Sequence, residues 1–256
     1  PGASNISAKV FANMAALGAD HVRHVPWFPY PHLAVAELQE PGTRGGRCQT
    51  HWNWTLIDPI TQALMKAVGD HPVVLNFATT PDWMWARGSH PYPPDPNRQD
   101  MGYNAGTVLR DSSLQEVVGY FHRLASHYTK RGFVDECGIA HASQFEYRFA
   151  WWEVLNEMEH GLTPAEYTAI YDAVVSDLRA LLPGTKFLGL AMGDHNRFEY
   201  YRHFLDRRHH NPPDVPIDGI SYHQYVWAPG AMPLPRLAAL FFAQMDAFVQ
   251  EVAEVE

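Results

Sequence analysis

Short apolar segments alternate with longer amphipathic segments along the whole sequence, and this alternation limits the possible folds more than any other feature. The run HPVVLNFATTP, residues 71–81, is typical of a buried strand because it is rich in apolar and β-branched residues and stops at a proline. The segment 163–184 is typical of a helix, with Thr163 as N-cap, Pro164 at the first helical position and Glu166 near the capping-box position. Strands that alternate with helices indicate a parallel sheet with helical crossovers.

The same reasoning predicts five strands and six helices in strict order. The predicted strands lie within residues 20–28, 71–81, 148–156, 185–192 and 217–225. The predicted helices lie within residues 5–19, 57–70 (with Asp58 as N-cap), 112–132, 163–184, 196–206 and 233–256. We interpret residues 1–256 as one domain with a (β/α)8 TIM-barrel fold that is incomplete. The alternative, a doubly wound open sheet, is disfavoured because no glycine-rich phosphate-binding turn follows an early strand.

Composition excludes several classes of protein. Hydrophobic residues make up 46% of the chain and charged residues 18%, which is typical of a globular domain. A formal net charge of −9 disfavours nucleic acid as a partner. No apolar run approaches the ~20 residues that span a bilayer, so we expect no membrane-spanning segment. The two cysteines, Cys48 and Cys137, can form one disulfide, but their spacing alone does not decide it.

Polar and aromatic residues crowd the carboxyl ends of the predicted strands. In a barrel of parallel strands, functional residues collect at this face. Glu157 ends a tryptophan-rich strand directly after Asn156, and we interpret it as a catalytic acid that faces a substrate. The other candidates for substrate binding at these strand ends are Asn156, His24, Trp27, Trp83, His223 and Tyr225.

Some polar residues near these ends are expected to have other roles. Glu153 lies inside its strand, and we interpret it as a buried acid that pairs with Arg23 or another base. Trp27 and Trp83 are interpreted as sugar-stacking surfaces, although part of the aromatic content belongs to the core. The histidine-rich stretch 207–213 is typical of a solvated loop, so we predict neither a bound metal nor a cofactor.

Several segments resemble glycoside hydrolases of clan A, whose fourth barrel strand ends in Asn-Glu. The stretch EVLNEME carries that pair, and FAWWEVLNE is similar to the FEVWNEPN version of the strand. The stretches GADHVRHVPW, HPVVLNFATTPDWMW and IDGISYHQY resemble the second, third and sixth strands of glycoside hydrolase family 39, the β-xylosidase and α-L-iduronidase family. The chain is therefore similar to family 39 or a close relative.

The resemblance implies a retaining glycosidase that acts on a carbohydrate by double displacement. Glu157 then matches the general acid/base, and Asn156 matches the amide that binds the sugar 2-hydroxyl. His24, His223 and Tyr225 match subsite positions. Met158 and Glu159 replace the usual Pro-Asn, which we expect to reshape the neighbouring subsite.

Protonation of a glycosidic oxygen near neutral pH requires an acid with a raised pKa. We expect an apolar wall from Trp151 or Trp152 to contribute to such a shift. A retaining enzyme also needs a second carboxylate about 5–5.5 Å away. The resemblance places it at the end of the seventh strand. Aligned to the resemblance, only strands two to six are visible in this sequence, and we expect the chain to be a fragment that is inactive alone.

Three points stay open at this level. A non-catalytic carbohydrate-binding protein, or an inactive relative of the glycosidases, is the alternative function. A metal enzyme that uses His24, His223 and Glu157 is a third class. Because the chain opens with Pro1 rather than Met, we expect that the natural start is missing; a secreted or lysosome-like compartment is compatible with the sequence, and the compartment stays unassigned.

Overall fold

The fold is built on one five-stranded sheet in which all neighbouring strands run parallel. The structure is a computed structural model, and it describes residues 5–26, 35–37, 39–78, 80–86, 108–225, 228 and 230–255. The strands of the main sheet are Val22–His24 (β1), Val73–Leu75 (β4), Trp151–Glu153 (β7), Lys186–Met192 (β8) and Gly219–Tyr222 (β9). Two antiparallel hairpins flank this sheet: Gly42–Arg44 (β2) with Arg47–Gln49 (β3), and Gly132–Val134 (β5) with Ala140–Ala142 (β6).

Six helices connect or flank these strands within the described residues. They are Asn5–Leu17 (α1), Ile57–Val68 (α2), Gln115–Thr129 (α3), Pro164–Leu181 (α4), Phe198–Phe204 (α5) and Leu234–Val255 (α6). None of the helices in the described ranges combines the length and apolar character needed to cross a bilayer.

Strand order in the main sheet follows the chain: β1, β4, β7, β8, β9. A doubly wound sheet reverses its order part-way, and the described sheet has no such reversal. The predicted α/β class with a parallel sheet is confirmed. The described strands do not close into a barrel. Their common direction places all five carboxyl ends at one edge of the sheet.

The core lies between the sheet and the helices α2, α3 and α4. Trp152 on β7 is fully buried, and its ring contacts Phe77 and Phe121. Tyr171 on α4 packs edge-on against Phe204 of α5. Aromatic side chains therefore fill much of the helix-facing layer, as the composition indicates.

The helix boundaries agree with the sequence prediction except at one cap. Thr163 and Glu166 form the predicted capping box at the start of α4. The prediction of Asp58 as N-cap of α2 is wrong: the helix begins at Ile57, and the preceding residue makes no side-chain capping bond. Asp58 instead accepts hydrogen bonds from the Tyr128 hydroxyl at 2.8 Å and from His127 Nε2 at 3.0 Å, so it ties α2 to α3.

The two hairpins were not predicted, and a disulfide joins them. Gly45 and Gly46 make the β2–β3 turn with φ of 58° and 76°, a left-handed conformation that glycine adopts without strain. Cys48 on β3 is bonded to Cys137 in the β5–β6 loop, across a sequence separation of 89 residues. The question that the cysteine spacing left open is thus answered in favour of a disulfide. Close by, the Thr50 hydroxyl donates to Asp135 at 2.7 Å.

Removal of the disulfide is expected to destabilise the fold. The loop-entropy relation for a loop of this length gives a loss of about 4–5 kcal/mol in the free energy of unfolding for the double variant Cys48→Ala/Cys137→Ala, because the unfolded chain gains freedom. Urea denaturation of the oxidised wild type, the reduced wild type and the double variant measures this. The reduced wild type and the double variant should share one urea midpoint, which should lie below that of the oxidised wild type. Coincidence of all three midpoints would contradict the prediction.

Glu37 is a second feature with a thermodynamic consequence. Its side chain is completely buried; Oε1 accepts the His51 amide N–H at 2.9 Å, and Oε2 has no partner among the described residues. Burial raises the pKa of Glu37 to about 8. An acid of this kind holds its proton in the folded state at a pH where the unfolded chain has lost it.

We predict that Glu37 makes stability fall as pH rises from about 4.3, the ordinary Glu pKa, to about 8. The greatest slope is about 1.4 kcal/mol per pH unit. Glu37→Gln keeps the acceptor for His51 and does not titrate, so the variant should lose this slope. Urea denaturation at pH 5 and pH 8 measures this slope, with the exposed Glu146→Gln as the control variant. An unchanged slope in Glu37→Gln would exclude Glu37 as the cause.

Candidate active site

The carboxyl ends of β7, β8 and β9 bring Glu157 and His223 together. The Glu157 amide donates to the Ala191 carbonyl at 3.0 Å, which joins the end of β7 to β8. The His223 amide donates to the Met192 carbonyl at 2.7 Å, which joins β9 to the end of β8. The backbone at both residues is therefore anchored by hydrogen bonds to the neighbouring strand, which brings the two side chains close together.

The backbone at these strand ends adopts uncommon conformations. Six non-glycine residues in the described part have positive φ, and four of them lie here: Leu155 at 62°, Glu157 at 50°, Leu190 at 77° and Ala191 at 46°. A left-handed conformation at a non-glycine residue costs on the order of 1 kcal/mol or more, and such residues cluster at functional sites. The strand-pairing register is also irregular between Leu190 and Met192. No sequence pattern predicted these left-handed conformations.

The Glu157 carboxyl group is largely buried and hydrogen-bonded on one oxygen. Its residue exposure is 8%. His223 Nδ1 donates to Oε1 at 2.6 Å, and the Tyr225 hydroxyl donates to the same oxygen at 3.1 Å. The second oxygen, Oε2, lies 3.9 Å from His160 Nε2. Three of the sequence candidates, Glu157, His223 and Tyr225, thus share one cluster.

The hydrogen bond from His223 lowers the pKa of Glu157 below its ordinary value, and burial opposes this effect without reversing it. A raised pKa, caused by an apolar wall, was predicted from the sequence. Trp152 cannot supply that wall, since its ring packs against Phe121 of α3 on the helix side of the sheet. The Trp151 ring is covered by the Lys186 ammonium group at 4.9 Å. In this structure, Glu157 is set up as a carboxylate that accepts hydrogen bonds.

A second polar network lies beside Glu157, at the ends of β1, β4 and β7. Arg23 Nε donates to Glu153 Oε2 at 2.7 Å, and an Arg23 Nη donates to Asn156 Oδ1 at 2.7 Å. Asn76 Nδ2 donates to the same Glu153 oxygen at 2.5 Å and to the Leu155 carbonyl at 2.6 Å. The predicted pairing of Glu153 with Arg23 is confirmed. The buried Glu153 charge is thus met by both a cation and an amide.

Three buried polar atoms in these networks have no partner among the described residues: Asn76 Oδ1, Asn156 Nδ2 and His223 Nε2. Buried donors and acceptors are nearly always paired. Arg23 holds the oxygen of the Asn156 amide, so the free end of that amide is its NH₂ group. The site therefore retains one oriented donor next to Glu157 that a polar ligand can satisfy.

Two predicted binding residues, His24 and Trp83, are not brought into this cluster. His24 faces the helix layer, where its Nε2 lies 3.1 Å from the Thr61 hydroxyl, and burial lowers its pKa to about 4. Arg23, one position earlier, takes the site-facing side, because successive strand residues point to opposite faces. Trp83 donates to the Glu37 carbonyl at 3.0 Å, and Arg110 covers its ring at 5.0 Å. Trp27 lies outside the described residues.

Several residues that shape the site were not among the predicted catalytic and binding residues. Arg23 and Asn76 were visible at strand ends, but only strand parity decides which side chains face the cleft. Glu159 and Gly193 contact each other beside Glu157, and this proximity depends on loop geometry that a sequence pattern does not encode.

Metal binding finds no support in the geometry. Within the described ranges, no group of three or more His, Cys, Asp or Glu side chains is placed to hold a metal ion. His24 and Glu157 in particular are engaged in separate contacts, with Thr61 and His223 respectively.

Comparison with solved structures shows a shared fold with glycoside hydrolases. A family 39 enzyme from Xanthomonas axonopodis pv. citri matches with a TM-score of 0.53 and 16% identity, over 91% of this chain and 40% of that chain. A monomeric β-xylosidase from Caulobacter crescentus CB15 matches with a TM-score of 0.56 and 17% identity, over 91% and 41%. A family 51 α-L-arabinofuranosidase from Bifidobacterium longum matches with a TM-score of 0.51 and 14% identity, over 100% and 47%.

These likenesses establish the fold class of the chain. The α/β fold with a parallel sheet resembles that of TIM-barrel glycosidases, including members of family 39. This chain spans less than half the length of each of these structures. No family model matches the sequence, and no curated protein matches it.

We predict that the Arg23–Glu153 pair stabilises the site. Arg23→Met leaves the buried Glu153 carboxylate without its cation, which we expect to cost about 1–3 kcal/mol in the free energy of unfolding; the effect is moderated because the Arg23 side chain is 35% exposed. Arg131→Met is the matched control, since Arg131 and Glu146 form an exposed pair at 2.5 Å. That variant should lose under about 1 kcal/mol. Equal losses in urea denaturation would contradict the prediction.

Proposed function

We propose that this chain carries the acid/base half of the active site of a retaining glycoside hydrolase. In this proposal the parallel sheet is part of a TIM barrel, and Glu157 is the general acid/base that acts on an O-glycosidic bond. The observation that supports it most directly is the Glu157 carboxyl, buried at the carboxyl edge of a parallel sheet and held by His223 and Tyr225. The likeness of the fold to family 39 structures adds to this support.

The chemistry requires Glu157 to gain and release a proton. A glycosidic oxygen leaves as an alcohol, so an acid must protonate it as the bond breaks, and the same group must then activate water. The His223 hydrogen bond favours the ionised form of Glu157. A second carboxylate about 5–5.5 Å away would raise the pKa of Glu157 by like-charge repulsion until the covalent intermediate forms.

We propose that this second carboxylate, the nucleophile, comes from outside residues 5–255. Glu153 is engaged by Arg23 and Asn76, and Glu159 accepts two backbone amides. Both carboxyl groups are buried and already accept hydrogen bonds, so we assign neither as the nucleophile. On this proposal, the chain alone shows little or no turnover.

Sugar recognition follows from the same networks. Arg23 fixes the Asn156 amide by its oxygen, which leaves the NH₂ group as the donor for a sugar hydroxyl, and the 2-hydroxyl fits this role in the proposed reaction. Tyr225 is largely exposed apart from its contact with Glu157, so its ring offers an apolar face for a pyranose. We assign the substrate only as a carbohydrate.

One feature of the site is equally compatible with a different function. The lowered pKa of Glu157 suits a hydrogen-bond acceptor for sugar hydroxyls as well as it suits a base. A non-catalytic carbohydrate-binding protein would use the same cleft without a second carboxylate. The two functions are separated by whether Glu157 is needed for turnover or only for binding.

The test is Glu157→Gln in an enzyme that joins this chain to the sequence that supplies the nucleophile. We expect turnover of alkyl glycosides to fall by about 10²–10⁴-fold, the usual contribution of general acid catalysis. Glycosylation by aryl glycosides with good leaving groups should fall far less, because these leave without protonation. Sugar binding, measured by calorimetry, should be retained.

The control is Glu166→Gln, which removes an exposed acid from the capping box of α4. It should leave turnover unchanged. Equal loss on both substrate types in Glu157→Gln would contradict the acid role. Sugar binding without any turnover in the joined wild-type enzyme would favour the carbohydrate-binding alternative.

A further inference from the structure

The loop after β8 approaches the side chain of Glu157 unusually closely at Gly193. A Cβ atom placed on Gly193 would lie 2.8 Å from both Cγ and Cδ of Glu157 and 2.9 Å from Glu159 Oε1. Separations below 3.0 Å are essentially absent for real Cβ atoms, so a larger residue here would displace Glu157, Glu159 or the loop itself. The φ of Gly193 lies outside the left-handed range, so close approach is the feature that requires glycine.

Glu159 anchors this loop through two hydrogen bonds. Its Oε1 accepts the Gly193 amide N–H at 2.6 Å and the Asp194 amide N–H at 2.8 Å. The Glu159 side chain has no exposed surface, and its Oε2 has no partner among the described residues. Burial of a carboxyl group is unfavourable unless hydrogen bonds compensate it, so the two amides account for its position.

These contacts restrict the Glu157 side chain at two places. His223 and Tyr225 contact Oε1 from one side, and Gly193 lies against the Cγ–Cδ bond. His160 Nε2 lies 3.9 Å from Glu157 Oε2 and 3.9 Å from Glu159 Oε1, so a third element borders both acids.

We propose that Glu159 and Gly193 are positioning residues for Glu157. Glu159 fixes the loop through the two amides, and Gly193 provides the space that lets the Glu157 carboxyl reach His223. The inference rests on the proposed function for its catalytic meaning, since it is the acid/base that is positioned. The positions and contacts of Glu159, Gly193 and Glu157 do not depend on that function. It also gives a reason for an acid at position 159, where the resemblance to family 39 leads one to expect asparagine.

The first test is Gly193→Ala in the chain of residues 1–256. The added methyl group should push Glu157 away from His223, so the pKa of Glu157 should rise toward its ordinary value as the hydrogen bond weakens. The Glu157 carboxyl carbon, followed by NMR in ¹³C-glutamate-labelled protein from pH 2 to pH 8, reports the shift. Gly42→Ala is the matched control, because a Cβ at Gly42 meets nothing within 4 Å and its φ lies outside the left-handed range.

The second test separates Glu159 from a general loss of structure. Glu159→Ala removes the acceptor for both amides, so amide exchange at Gly193 and Asp194 should accelerate, and the Glu157 pKa should rise. Glu159→Gln keeps an oxygen acceptor, so exchange should stay slow. Any negative charge at position 159 is lost in that variant, and the Glu157 pKa should stay at or below its wild-type value.

Two results would overturn the proposal. One is a Glu157 titration in Gly193→Ala that matches Gly42→Ala. The other is unchanged amide exchange at Gly193 and Asp194 in Glu159→Ala; if Gly193→Ala does not fold, this result decides alone. Both measurements are made without sugar or turnover. Failure of the acid role in the substrate experiment would therefore leave them intact, and their failure would leave the acid role standing.

Discussion

Every strand of the main sheet runs in the same direction, and the rest of the molecule depends on this constraint. Parallel strands in chain order place all carboxyl ends at one edge, so residues far apart in sequence meet there. Arg23 reaches Asn156 across 133 positions, and Glu157 reaches His223 across 66. The helices pack against one face of the sheet through large aromatic side chains. Polar side chains gather at the carboxyl-terminal edge, where a ligand can contact them.

Much of the fold could be predicted from the sequence because its local signals agree with each other. The capping box at Thr163, the apolar run 71–81 and the helical periodicities each indicate the element that forms. The β2–β3 and β5–β6 hairpins were not predicted because their strands are short and largely exposed. Contacts between the two hairpins stabilise them: the disulfide and side-chain hydrogen bonds such as Thr50 to Asp135. Asp58 was predicted as an N-cap because it lies at the start of a helix. Its side chain instead accepts hydrogen bonds from His127 and Tyr128 of α3.

The site residues that could be predicted from the sequence are those that lie at the carboxyl ends of strands. Glu157, His223 and Tyr225 lie at those ends and contact one another. His24 was chosen where Arg23 faces the cleft, because two adjacent polar residues on a strand give no clue to which one points inward. Trp83 has its indole N–H and one ring face already occupied. The roles of Glu159 and Gly193 depend on distances between loops, which no periodicity encodes.

The φ of 50° at Glu157 has an evolutionary consequence. Glycine and asparagine tolerate this conformation better than glutamate does, so mutation toward either would relax the backbone while abolishing the carboxyl. Under the role proposed for Glu157, selection for a more stable fold and selection for an ionisable group therefore act on this position in opposite directions. Where the residue drifts to glycine or asparagine among related chains, the drift would mark lineages in which selection for the ionisable group has lapsed.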